Sequence, residues 1–212
     1  MHYNTEKNDH NLPHDPFKAL VSPRPIGWIG TRNKGGINNL APYSYFNAIS
    51  DKPYFVMFAS TGFKHSIRNI EETKVFTCSL ATKDLFNKMN YTSASTKYGD
   101  DEFELSGLTP KDGKFVNAPY VDESPAALEC ELWKVIDLPG SDRPNLLGNY
   151  VVFGHVKGIY IDEKYIKDGL FDTRKARPLG RLGYMDYGIV NDDNIFSQKR
   201  PQVDKNGNII KE

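Results

Sequence analysis

At Ser60-Thr61-Gly62-Phe63-Lys64-His65-Ser66 the chain gathers three hydroxyls, an ammonium and an imidazole. The segment lies where an aromatic-rich run, Tyr54–Ser60, gives way to a helix-like pattern carried by Ile67 and Ile70. A helix start offers unpaired backbone N–H groups and a partial positive charge, which suits a phosphate. Lys64 strengthens such a site without changing the balance of the whole chain. The same residues also fit plain helix capping by Ser66, with Lys64 in solvent. Two arginines offer related chemistry. Arg24 stands between Pro23 and Pro25, so its backbone is restricted and its guanidinium starts from a defined place. Arg181 lies in "RPLGRLGY", where glycines allow close approach of a ligand to backbone. A guanidinium matches phosphate geometry well, although an edge-strand ion pair at Arg24 and a basic surface loop at Arg181 fit equally.

The stretch "NNLAPYSYFNAIS", Asn38 to Ser50, contains no charged residue. Ser44, Asn47, Ser50 and the backbone amides could contact a flat ring rich in heteroatoms, with Tyr43, Tyr45 and Phe46 stacking on it or walling it off. A ring joined to one phosphate is an FMN-like ligand. The aromatics also suit an ordinary core.

Other chemistries lack their residues. There is no G-x-S-x-G elbow, no G-x-G-x-x-G after a strand and no P-loop. His2, His10, His14, His65 and His155 are scattered, so no metal site is expected. Cys78 alternates in phase with Phe76 and Leu80, and Cys130 with Leu128 and Leu132, which makes both small core residues and not a disulfide. Lys plus Arg and Asp plus Glu balance at 27 each, which argues against nucleic acid as a partner. No apolar run approaches the ~18 residues of a membrane helix. The start, "MHYNTEKNDHNLPHDP", lacks the apolar region of a signal peptide, so the expected location is the cytoplasm.

These residues need a scaffold. Residues 1–16 read as a polar arm, 17–201 as one domain and 202–212 as a tail. Strands are expected at Ile26–Thr31, at "INNLAPYSYFNAIS" as its return strand, at Tyr54–Ser60, at "VFTCSLA", and as two long runs, "SPAALECELWKVIDL" and "NYVVFGHVKGIYID". Pro42 confines the return strand to an edge or a bulge. Helices are expected from about His65 to Thr73 and over "TKDLFNKMNYTSAS", the latter with Thr82 as N-cap, and a helical turn in "DDEFELSGL". "PGSDRPNLLG" reads as a turn-rich connection, Asn206-Gly207 as a turn, and the last third as mostly irregular. The predicted fold is mainly β, a small antiparallel barrel with a few short flanking helices.

From about Phe17 to Pro201 the chain resembles the flavin reductase-like family of FMN-binding split β-barrels. The blocks "SPRPIGWIGT", "GINNLAPYSYFNAISDKPYFVMFAS", "KHSIRNIEETKVFTCSL", "MNYTSAS", "DEFELSGLTP", "ESPAALECEL", "VVFGHVKGIYID" and "RLGYMDY" carry the resemblance, in order. It implies a homodimer with FMN near the subunit interface and electron transfer from NADH or NADPH to the flavin, with no side-chain acid or base required. Some members keep FMN tightly and take electrons from a redox protein. Lys64 and Ser66 match the family's phosphate-helix Lys and Thr, and His65 stands where the family has Asp. Arg24, Asn47 and Arg181 match family positions, and Tyr184 replaces the second glycine of an "RLGG" block. The implied contacts are Lys64, Ser66 and Arg24 to phosphate, and backbone of Asn47–Ala48 and Ser60–Thr61 to the ring edge or ribityl chain.

Overall fold

A computed structural model describes residues 1–139 and 148–210. The expected turn-rich connection "PGSDRPNLLG" lies, apart from its first and last residues, outside the described residues. A short helix, α1 (Phe17–Leu20), leads into β1 (Arg24–Pro25) and β2 (Gly27–Arg32). Then come β3 (Asn38–Tyr43), β4 (Phe46–Asp51), β5 (Tyr54–Thr61), α2 (His65–Thr73) and β6 (Val75–Leu80). Next are α3 (Phe86–Tyr91), α4 (Glu102–Ser106), β7 (Pro110–Asp112) and β8 (Pro119–Val121). Two long strands, β9 (Ala126–Leu138) and β10 (Asn149–Ile161), fulfil the two long runs expected. The chain goes on through β11 (Ile166–Lys167), β12 (Leu170–Phe171), α5 (Thr173–Ala176), β13 (Leu179–Arg181) and β14 (Tyr187–Ile189).

Among the described residues, seven strands form one antiparallel sheet in the order β3-β2-β6-β9-β10-β5-β4. Its two edges, β3 and β4, are consecutive in the chain and joined only by Ser44-Tyr45. Laid flat, seven strands would hold their edges ~29 Å apart. Three Cα steps from Tyr43 to Phe46 reach only ~10 Å. The sheet must therefore curl until its edges approach, and the result is a split β-barrel. The stretch expected as a single return strand thus supplies both edges. Pro42 sits where a proline is tolerated, on edge strand β3 opposite Trp28.

Every residue of β2 from Gly27 to Thr31 is buried, because each face of the strand meets a different core. Ile29 joins Phe58, Ile67, Ile70, Phe76, Cys78, Cys130 and Val152 inside the barrel. Trp28 joins Leu40, Met89, Phe103, Val121 and Leu179 under α3 and α4. Gly30 makes this double burial possible, since a Cβ there would lie 2.1 Å from the carbonyl oxygen of Pro119. Both cysteines are free and buried, as their alternation predicts, and burial pushes the Cys78 thiol well up.

Two local expectations are corrected. α3 covers only Phe86–Tyr91, and Thr82, expected as its N-cap, is buried in a bridge to Pro178. Lys83 N–H donates to Arg177 O and Leu179 N–H to Ala81 O, so extended pairing already claims this backbone. The last third is not mostly irregular either. β13 pairs with both β1 and β14 in a small sheet, whose strands of two or three residues are too short for periodicity to reveal.

Candidate functional site

Strand β5 ends at Thr61, and Gly62 (φ 89°) turns the chain toward α2. Ser60 Oγ donates to Gly62 O at 2.9 Å, and Gly62 N–H to Gly148 O at 2.9 Å, which fixes the turn. Lys64 occupies the N-cap position in extended conformation and contributes no side-chain cap. Ser66 is inside the helix, so it is not the cap either. The N–H groups of His65, Ser66 and Ile67 have no acceptor among the described residues. They are the helix's free donors, at its positive end.

His65 and Ser66 border a cavity of about 260 Å³. Phe63, Lys64, His65 and Ser66 form one wall, and Thr92-Ser93-Ala94-Ser95-Thr96, which follows α3, forms another. Asn39, Ala41, Pro42 and Tyr43 of β3, with Glu102 of α4, complete the lining. Polar contacts brace the walls. Asn39 Nδ2 donates to Ser66 Oγ at 3.0 Å. Thr92 Oγ1 accepts from Trp28 Nε1 at 2.9 Å and donates to Met89 O at 2.8 Å. Thr96 Oγ1 donates to Glu102 Oε1 at 2.6 Å, and Leu40 N–H to Glu102 Oε2 at 3.0 Å. The His65 ring meets Tyr98 edge-on at 5.2 Å, and the Arg68 guanidinium covers the same tyrosine at 4.5 Å.

The groups left over are mostly donors. Besides the α2 amides, the N–H and hydroxyl of Ser95 and the ammonium of Lys64 have no protein partner among the described residues. Tyr43 is 7% exposed, and its hydroxyl is buried without an aligned hydrogen bond, although the hydroxyls of Ser66 and Ser60 lie close by. Burial pushes the Tyr43 phenol up, and the nearby hydroxyls partly offset this.

The structure brings Lys64, His65 and Ser66 together on the cavity, and Ser60 and Thr61 lie on the strand that leads into it without lining it. Ser44 sits in the link between the sheet edges. Asn47 and Ala48 are exposed on edge strand β4, opposite Met57 and Val56 of β5. Arg24 and Arg181 face each other across the β1–β13 pair, away from the cavity lining. Arg24 is 6% exposed, and its guanidinium donates to the carbonyls of Lys18, Val21 and, at 2.8 Å, Leu182. It lies 6.0 Å from the Tyr45 ring. Arg181 donates to Tyr184 O at 2.7 Å and stacks 4.3 Å over Tyr187. Sequence reasoning missed Asn39, Glu102 and the Thr92–Thr96 wall. A readable sign was present in that run of small hydroxyl residues, which the helix pattern absorbed.

Among the described residues no helix is long and apolar enough to cross a membrane, and no group of three acidic, His or Cys side chains could hold a metal. The family model for the flavin reductase like domain matches residues 20–180. An uncharacterized protein of Aquifex aeolicus is 33% identical over 86% of this chain and 92% of its own length. Among solved structures, nitrilotriacetate monooxygenase component B from Bacillus cereus superposes with a TM-score of 0.82 at 24% identity, covering 93% of this chain and 98% of that one. Flavoredoxin of Desulfovibrio vulgaris gives 0.73 at 24% identity, covering 84% and 91%. The split barrel and the match along most of the chain lead to one conclusion: this protein belongs to the flavin reductase-like family.

Proposed function

We propose that this protein is a flavin-linked oxidoreductase that binds FMN, with the phosphate in the cavity at the start of α2, and accepts electrons from NADH or NADPH. One observation carries the reading: His65 and Ser66, whose amides are unpartnered, border a single cavity together with Lys64 and Ser95. That donor set fits a phosphate monoester. Lys64, His65 and Ser66 would hold the phosphate. Backbone of Asn47–Ala48 and Ser60–Thr61, with Ser44, would meet the ring edge and ribityl chain. β4 suits this role because an edge strand presents N–H and C=O groups with no strand partner. Arg24 lies 6.0 Å from the Tyr45 ring in the middle of the uncharged ribbon, with Arg181 paired opposite it, which favours a part in shaping the ring site over a direct grip on phosphate.

A flavin, when bound, would supply the redox chemistry as a hydride acceptor. What the chain contributes is placement, exclusion of water by Tyr43, Tyr45 and Phe46, and donors that steady negative charge. Holding two reactants in line lowers a barrier by up to ~7–11 kcal/mol. By the same resemblance the working form is a homodimer with the flavin near its interface. Titration of the apoprotein with FMN, FAD and riboflavin, followed by steady-state oxidation of NADH and NADPH with FMN present, tests the proposal. Absence of FMN binding at millimolar supply would end it.

A second reading, an FMN-bound carrier fed by a redox protein, is favoured by Tyr184. It is held at φ 54°, a left-handed conformation costly for any side chain, and its ring is about half exposed at the tip of the β13–β14 hairpin. By the resemblance, a ring in place of the family's glycine would narrow the approach of a nicotinamide. Slow NADH and NADPH oxidation with tight FMN binding would select this reading.

A further inference from the structure

The two edges of the curled sheet, β3 and β4, form no ladder with each other among the described residues. A side chain spans the gap instead. Phe46 opens β4 and, like its register partner Phe58, turns its ring into the barrel, where it packs against the core. That ring rests on Gly27 of β2. A Cβ on this glycine would lie 2.5 Å from Phe46 Cδ2, 2.7 Å from Cγ and 3.2 Å from Cβ. Ordinary carbon contacts need ~3.5 Å or more. Turning the ring alone leaves the contact with Phe46 Cβ, so β4 itself would have to yield, by about 1 Å. Gly27 is also the register partner of Tyr43, which borders the cavity at the start of α2. One contact therefore fixes β4 relative to the cavity wall. Ala59 N–H donates to Tyr45 O at 2.8 Å. By the alternation of an antiparallel ladder, Asn47 then spends its N–H and C=O on Met57, whereas Phe46 and Ala48 turn theirs off the free edge.

We propose that Phe46, seated on Gly27, is a positioning residue: the pair sets the reach between the cavity and the free backbone edge of β4, and so selects a flavin whose phosphate and ring fit that spacing. The inference rests on the FMN reading given above. FMN touches both ends of the reach and registers any change in it. Riboflavin has no phosphate to anchor, so it follows β4 wherever the strand lies. The missing side chain at Gly27 is then a specificity feature as well as a packing one.

The test measures FMN and riboflavin affinity, by quenching of flavin fluorescence, on wild type, Gly27→Ala, Phe46→Leu and Gly30→Ala. Gly30→Ala is the control, because it overpacks the same strand against Pro119 and away from β4. The expected result for Gly27→Ala is an FMN affinity lowered at least ~10-fold with riboflavin within about threefold of wild type, although neither Gly27 nor Phe46 lines the cavity. Gly30→Ala should leave the ratio of the two affinities unmoved. Equal loss of both flavins in Gly27→Ala, or the same selective loss in Gly30→Ala, overturns the inference. Should Gly27→Ala fail to fold, Phe46→Leu decides, since it adds no clash and removes the ring that spans the gap. A ratio equal to that of wild type then overturns the inference. If wild type binds no flavin, or shows no preference for FMN, the phosphate reading itself fails. If it prefers FMN and the ratio stays fixed in both variants, only the positioning role fails.

Discussion

The indole N–H of Trp28, fully buried on β2, donates to Thr92 Oγ1 at 2.9 Å. The two residues are 64 positions apart, and this bond ties the first hydroxyl of the cavity wall to the strand shared by both cores. Thr92→Val leaves the buried N–H without an acceptor and is expected to cost about 1–3 kcal/mol of stability. Chemical denaturation measures it. Combined with Trp28→Phe, the loss should fall short of the sum of the single losses, because both changes remove the same bond.

Lys64 stands free at the mouth of the cavity. Lys64→Ala is expected to weaken FMN binding by about 1.5–3 kcal/mol, a charge-assisted hydrogen bond, while riboflavin binding stays unchanged. At saturating FMN the hydride step should be nearly unaffected. Equal binding of FMN by variant and wild type would place the phosphate elsewhere.

Arg24 gives the opposite pattern. Its guanidinium donates to three carbonyls, two from the segment around α1 and one from Leu182, so it staples the amino-terminal segment to the β13–β14 turn. Arg24→Gln is expected to lower stability by at least about 3 kcal/mol, since hydrogen bonds from a charged group contribute ~1.5–3 kcal/mol each. The ratio of FMN to riboflavin affinity should not move. A selective loss of FMN affinity in a folded variant would instead place Arg24 on the phosphate.

Burial raises both the Cys78 thiol, well above its usual value near 9.0, and the Tyr43 phenol, above its usual 10.0. In each case the folded state favours the neutral, protonated form. The stability this contributes is complete below the unfolded-state values and is lost as pH rises through the folded-state values. The denaturation midpoint should therefore fall on the alkaline side, first above about pH 9 and more steeply above about pH 10. Midpoints measured from pH 7 to 11 should decline less in Cys78→Ala and Tyr43→Phe. A wild-type profile flat to pH 11 would contradict the burial of these groups.

Gly30 tests the double burial of β2. Gly30→Ala places a methyl group against the Pro119 carbonyl, and backbone cannot move aside as a flexible side chain can. The expected cost is about 1–3 kcal/mol, typical of overpacking, seen as a lower thermal midpoint.

Much of this molecule is written in short-range pattern. The α2 boundaries follow from the Ile67–Ile70 spacing and the polar residues before it, and the structure places the helix at His65–Thr73. The alternation around Cys78 and Cys130 foretells two buried thiols, and the ordered blocks foretell a split barrel of the flavin reductase-like family. Each depends on neighbours within a few residues or on motif order, which a linear chain displays directly.

Tertiary structure alone decided what faces the α2 donors. Thr96 and Glu102 meet across a loop, and Asn39 and Ser66, 27 positions apart, join two elements, yet all four border one cavity, with Leu40 N–H holding Glu102 from 62 positions away. No local period encodes those meetings. They follow from the two-residue link at Ser44-Tyr45, which curls the sheet and carries β3 beside the start of α2. The same closure took the Arg24 guanidinium, a free phosphate ligand by its residue type, and spent it on backbone carbonyls. Chemical type is a property of the residue, but whether its hydrogen-bonding groups remain available is settled by whichever distant backbone reaches them first.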